Sequence, residues 1–148
     1  MSVIQTNEML GKQPVVNPDE AGALFEITIK VDPAVTPIAS GDFLQLMQIP
    51  ADCVLVNVSL GTPTTLGAVT VAAGYADALA TTTLATTFIA AGTITSTAKV
   101  TANSLTMADT PISNPTKDQK ILALQFGGAS LAAVMYATVT YRAARYGK

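Results

Sequence analysis

Cys53 is the single thiol in a chain of 148 residues, histidine is absent, and ten carboxylates are scattered along the length. Without histidine there is no Ser–His or Cys–His nucleophile pair, and the commonest general base and zinc ligand are both missing. One cysteine can build neither a thiolate metal cluster nor an intramolecular disulfide. In its apolar setting Cys53 reads as a small hydrophobe, in keeping with synthesis in a reducing cytoplasm. Two carboxylates adjoin only in NPDE, residues 17–20, at Asp19 and Glu20. That spacing is not a calcium loop and reads as a turn. Paired carboxylates of a glycosidase meet in space rather than in sequence, and nothing here points to such a pair. GGAS, residues 127–130, lacks the Gly-Lys-Ser/Thr of a phosphate loop and lies between two strands, so it also reads as a tight turn. No catalytic residue, cofactor or metal is expected, and the chain reads as non-enzymatic.

Two further groups of side chains could bind rather than react. Sugar sites favour exposed aromatic platforms, but the chain has four Phe, four Tyr and no Trp. Phe25 and Phe126 fall on apolar strand faces and read as core. Tyr136, Tyr141 and Tyr146 cluster towards the C-terminus, where packing in a core or an interface explains them better than sugar stacking. The second group is basic. Residues 1–116 hold three lysines against nine acids, leaving −6, whereas residues 117–148 hold five cations against Asp118, leaving +4. This asymmetry suits a complementary contact with a sister copy or an acidic surface. Nucleic acid is a poor partner, because there is no dense basic patch with interleaved aromatics. The interface candidates are Pro14, Val15 and Val16 near the N-terminus, and Tyr141, Arg142, Arg145, Tyr146 and Lys148 near the C-terminus.

The elements that must carry these groups are strands. Residues 1–22 have no sustained period and contain Pro14 and Pro18. They read as an extended arm that reaches a neighbouring subunit, leaving 23–148 as one sandwich domain. From Phe25 to Val31 apolar and polar residues alternate, with Phe25, Ile27, Ile29 and Val31 on one side and Glu26, Thr28 and Lys30 on the other. DFLQLMQI forms a strand closed by Pro50. DCVLVNVSL forms another, with Val54, Val56, Val58 and Leu60 expected in the core and Asn57 and Ser59 outside. AVTVAAG follows a turn at GTPTTLG. Residues 76–92 read as a long connection with one helical turn capped by Asp77 and a short strand near Phe88. TITSTAKVT reads as a threonine-rich strand. QKILALQF is apolar on both faces and therefore central. LAAVMYATVTYRA reads as a long last strand, with Val134, Tyr136, Thr138, Thr140 and Arg142 on one face and Ala133, Met135, Ala137, Val139 and Tyr141 on the other.

Seven or eight strands with mixed connections and no helix of ordinary length predict an all-β, two-sheet antiparallel sandwich of jelly-roll type. An immunoglobulin-like sandwich is the alternative, although the Cys–Trp–Cys core of true immunoglobulin domains is absent. The length suffices for a single domain that buries about 70% of its unfolded surface. Charged residues make up 12% and hydrophobic residues 49%, against about 25% charged in an ordinary soluble domain. Much of the surface is therefore expected to meet protein, or else to be a neutral threonine-covered sheet. No leader is visible, and no apolar run approaches the roughly 20 residues that span a bilayer, so neither secretion nor a membrane is expected.

The order of FEITIKV, GDFLQLMQIPADCVLVNVSLG, TVAAGYADALA and YATVTYR resembles the decoration or cement proteins of tailed-bacteriophage capsids. The shared pattern is a strand ending in Ile-Pro-Ala, an alternating valine strand and a Gly–acid–Ala loop, over about residues 23–145. The resemblance implies a jelly-roll virion protein made in the host cytoplasm. It would sit on the outer capsid surface and cement adjacent capsomers, with the major capsid protein and copies of itself, as dimer or trimer, for partners. Another virion component, such as a head-fibre base or tail protein, is an alternative. A carbohydrate-binding sandwich module is an alternative of a different class.

Overall fold

The computed structural model describes residues 3–6, 9, 24–49, 53–76, 83–96, 98–101 and 120–143. Their regular structure is nine strands: β1 (Val3–Gln5), β2 (Leu24–Val31), β3 (Phe43–Ile49), β4 (Cys53–Gly61), β5 (Thr70–Ala76), β6 (Thr86–Thr93), β7 (Val100–Thr101), β8 (Lys120–Gly127) and β9 (Met135–Ala143). They form a five-stranded sheet, β1-β3-β8-β5-β6, and a four-stranded sheet, β2-β9-β4-β7. No helix among the described residues is long and apolar enough to cross a membrane.

The topology decides between the two expected sandwiches. β2 pairs with β9, β3 with β8, β4 with β7 and β5 with β6, all antiparallel. Each pair is nested in sequence inside the one before. A long hairpin rolled up so that successive pairs alternate between two sheets is a jelly roll. β1 lies outside that scheme, as a parallel addition beside β3.

The core fills the space between the sheets. Ile29, Val31, Leu44, Leu55, Val58, Leu60, Leu122, Leu124, Met135, Val139 and Tyr141 are all buried there. β2 and β9 alternate as their sequences predict, so each gives one apolar face to this layer. β8 lies at the centre of its sheet and is buried on both faces from Ile121 to Leu124, which accounts for its unbroken apolar character.

Four expectations need correction. The first part of the arm folds back on its own domain: Val3, Ile4 and Gln5 pair with Phe43, Leu44 and Gln45. Gln5 Nε2 donates to Gln45 Oε1 at 2.9 Å, and Met9 packs on a second small cluster of Phe43, Ala76, Ile121 and Ala123. A buried Gln45 needs a polar partner, and Gln5 supplies one. The boundary at residues 22 and 23, like the expected helical turn after Asp77, lies outside the described residues. In β4 the register shifts between Leu55 and Asn57. This bulge puts Cys53, Leu55, Val58 and Leu60 in the core and leaves Val56 40% exposed. β6 is a full strand, not a short one. Two register shifts set Phe88 and Ile89 side by side in the core and break its alternation. TITSTAKVT is not one strand, because Thr93 ends β6 and only Val100 and Thr101 form β7.

Candidate functional site

The two sheets treat their outer faces differently. That of the five-stranded sheet carries Phe43, Gln45, Ile121 and Ala123, all buried within the chain. That of the four-stranded sheet is open. Register places three rows across it: Glu26–Thr140–Asn57, Thr28–Thr138–Ser59 and Lys30–Tyr136–Gly61. Arg142 stands at the end of the same face, opposite Leu24. Apart from Lys30, the rows line a shallow groove of about 630 Å³, closed at one side by Thr62, Ser96 and Lys99.

Each side chain points outward for a local reason. On β2 and β9 strict alternation sends every second residue away from the core. On β4 the bulge at Val56 resets the alternation, so that Asn57 and Ser59 face outward beside Thr140 and Thr138. Gly61 makes room for Lys99, whose Cγ would lie 3.4 Å from a β-carbon at that position. At the groove's edge Thr62 Oγ1 lies 2.8 Å from the carbonyl of Val134 and ties the end of β4 to the approach to β9.

The chemistry of the face is neutral and hydroxyl-rich, with charges at its borders. The hydroxyls of Thr28 and Thr138 lie 3.3 Å apart, and Thr140 Oγ1 donates to Glu26 Oε2 at 3.5 Å. Lys30 Nζ lies 3.1 Å from Asp32 Oδ2. The backbone N–H of Ala34, hydrogen-bonded to Asp32, together with Lys30 holds the Asp32 carboxyl below its ordinary range. Among the described residues no three His, Cys, Asp or Glu side chains gather as a metal site would need. What the rows offer is a broad set of donors and acceptors for a flat partner, with the cations of Lys30, Lys99 and Arg142 around it.

A search of solved structures finds the same fold over the whole chain. With TM-score 0.71 and 20% identity, 99% of this chain superposes on 99% of a chain in the structure described as "Capsid of Ralstonia phage GP4". A looser likeness, with TM-score 0.45 and 15% identity, covers 85% of this chain and 92% of a chain in "Acidic stable capsid structure of Helicobacter pylori bacteriophage KHP30". No known family model and no curated protein matches the sequence. The GP4 likeness is one of fold: a jelly-roll sandwich of nearly the same length.

Of the residues that the sequence singled out, Arg142 is half-buried on the open face. Tyr141 is not an interface residue. It is fully buried, stacked on Phe25 with ring centroids 6.0 Å apart. It falls on the inward parity of β9, and its large apolar ring fills the core. Pro14, Val15, Val16, Arg145, Tyr146 and Lys148 lie outside the described residues. The rows built on Asn57, Ser59 and Thr138 had no motif to announce them. Their signal was period-two alternation, which set Asn57, Ser59 and Thr138 on the outer faces of their strands but did not show that those strands lie side by side.

Proposed function

We propose that the protein is a non-enzymatic structural component of a bacteriophage particle, which binds the outer capsid surface and cements adjacent capsomers. The observation that carries this reading is the end-to-end likeness to a chain of the GP4 capsid, covering 99% of both chains. The shape of the surface supports it. One sheet is sealed by the chain's own residues, and the other presents a neutral hydroxyl face suited to protein. With a rise of about 3.3 Å per residue and about 4.8 Å between strands, β2, β9, β4 and the two-residue β7 cover roughly 450 Å². Docked on a partner, such a face removes roughly 900 Å² in total, just under the lower limit of about 1,000 Å² for a specific interface. One copy would then hold weakly, and retention would come from several contacts acting together.

The test is to add purified protein to particles that lack it and to measure occupancy by co-sedimentation. Saturable binding at a fixed number of copies per particle is expected. No binding at any protein concentration would sink the reading. One observation favours a second: Tyr136, 39% exposed, stands in the groove among hydroxyls and beside Asn57's strand, as a sugar platform would. Glycan binding by the isolated protein, without capsid occupancy, would support a carbohydrate-binding module instead.

A further inference from the structure

A sandwich has four sheet edges, and exposed edges invite strand addition unless they are blunted. Three edges here are blunted among the described residues. β1 is three residues long and β7 two, while β6 carries two register shifts that kink its edge. β2 is the exception. It is eight residues long, contains no proline, and pairs with β9 through eight consecutive residues without a bulge. Its other edge meets no strand among the described residues.

The residues of β2 are self-complementary. An antiparallel partner strand keeps the apolar face aligned only in registers that set like faces opposite each other. In the register centred on Thr28, Glu26 faces Lys30 of a second copy and Lys30 faces Glu26. Ile27 faces Ile29, Phe25 faces Val31, and Thr28 faces Thr28 across the axis. Shifting the centre to Phe25's neighbour Glu26 puts like charges opposite each other, and so does a shift to Lys30. Centring on Ile29 sets Glu26 against Asp32, and centring on Ile27 leaves Glu26 and Lys30 without opposite partners. At the ends of the strand the Thr28 register sets Leu24 opposite Asp32, at the turn that carries Val35. Leu24 at its start is 64% exposed, and Val35, just past its end, is 79% exposed. Antiparallel pairing brings the start of one strand beside the end of the other, so both exposed apolar side chains, Leu24 and the second copy's Val35, fall at the same ends of the contact. On the inner face Phe25 and Ile27 are half-buried, whereas Ile29 and Val31 are 2% and 4% exposed. The half of β2 that lacks cover is the half that the second copy would continue.

We propose that β2 is a dimerisation edge, pairing antiparallel with β2 of a second copy about a two-fold axis at Thr28. The contact is isologous, so it closes on itself and does not propagate into fibres. It joins two four-stranded sheets into one continuous eight-stranded sheet and doubles the open hydroxyl face. The pairing stands on the strand's own chemistry and does not depend on attachment to a capsid.

Sedimentation velocity of the full-length protein over a range of concentrations tests it. A concentration-dependent dimer is expected. Glu26→Lys and Lys30→Glu each weaken it by about tenfold or more, because every reversal acts at two symmetry-related places. An equimolar mixture of the two single variants recovers the dimer, since each strand then meets its opposite. Both residues are exposed, so the variants fold, as circular dichroism will confirm. Thr28→Cys adds a check on register. The native Cys53 is buried, so mild oxidation should cross-link this variant and not the parent. A monomer at every concentration overturns the proposal. So does a dimer indifferent to both reversals, a mixture that fails to recover, or a Thr28→Cys chain that stays uncross-linked. Capsid occupancy plays no part in these readings, so either proposal can fail alone.

Discussion

Leu55 stands opposite Tyr141 across β4 and β9, yet the next residue of β9, Thr140, faces Asn57 and not Val56. The extra residue is Val56, pushed out of the ladder to 40% exposure while Leu55 and Val58 are fully buried. A bulge of this kind admits one unpaired residue and turns the rest of the strand over. Val56→Asp is therefore expected to change stability by about 1 kcal/mol or less, within the range of β-surface substitutions. Leu55→Ala removes core volume and should cost about 2–5 kcal/mol. Urea denaturation of the two variants compares them directly. Equal losses would place Val56 in the core.

Two glycines with left-handed backbone should respond unequally to alanine. Gly41 has φ +91 and nothing within 4 Å of a β-carbon, so only the backbone penalty applies, about 1–2 kcal/mol. Gly128 has φ +77, and a β-carbon there would lie 2.0 Å from the carbonyl oxygen of Ala68. That oxygen is backbone and cannot swing aside. Gly128→Ala should cost at least about 3 kcal/mol, strain and overpacking together. Thermal unfolding of the two variants provides the comparison, and a smaller loss at Gly128 would contradict the close approach.

How far the sequence disclosed this depended on the element. β2 and β9 alternate strictly, and their faces were legible residue by residue. β8 was legible as central because Ile121–Leu124 is apolar on both parities. β4 misled at Val56 because a bulge leaves no mark in composition: period two places Val58 and Leu60 correctly in the core, but carried back across the bulge to Val56 it gives the wrong face. β6 was only half visible, since Phe88 and Ile89 point the same way. The open face was present in the sequence as Thr28, Thr138, Thr140 and Arg142, but nothing in it showed that Asn57 and Ser59 complete its rows. Tyr141 was misplaced because tyrosine suits a core and an interface equally well, and only its parity on β9 separates them.

Tyr141 also gives the fold a dependence on alkaline pH. Burial pushes its phenol above the ordinary value, and the neighbouring Cys53 adds to the effect. In the unfolded chain the phenol ionises near about pH 10, while in the folded chain it keeps its proton to higher pH. Below that range both states are protonated, and the residue contributes no slope. As pH rises through it the unfolded state binds fewer protons, so stability falls. Tyr141→Phe removes the ionisation. The urea midpoint of the parent should drop more steeply than that of the variant above about pH 10. Parallel curves would mean that the phenol is free to ionise in the folded state.

The open face can be tested at its centre. Thr138 faces outward with Thr28 on one side and Ser59 on the other, its hydroxyl 3.3 Å from that of Thr28. Thr138→Arg places a long cation there without entering the core. Surface changes of this kind usually alter stability by about 0.5 kcal/mol or less, so the variant should melt close to the parent. Binding energy concentrates near the middle of an interface, where water is excluded. A side chain that holds two surfaces apart at that point removes contacts well beyond its own. If the four-stranded sheet is what docks on a particle, Thr138→Arg should lower occupancy by at least about tenfold, equivalent to about 1.4 kcal/mol. Thr87→Arg, on the exposed side of β6, is the control and should bind like the parent. Parent-like occupancy of Thr138→Arg would show that the hydroxyl face is turned to solvent and that attachment runs through another surface. Equal losses for both variants would point to added charge rather than to position.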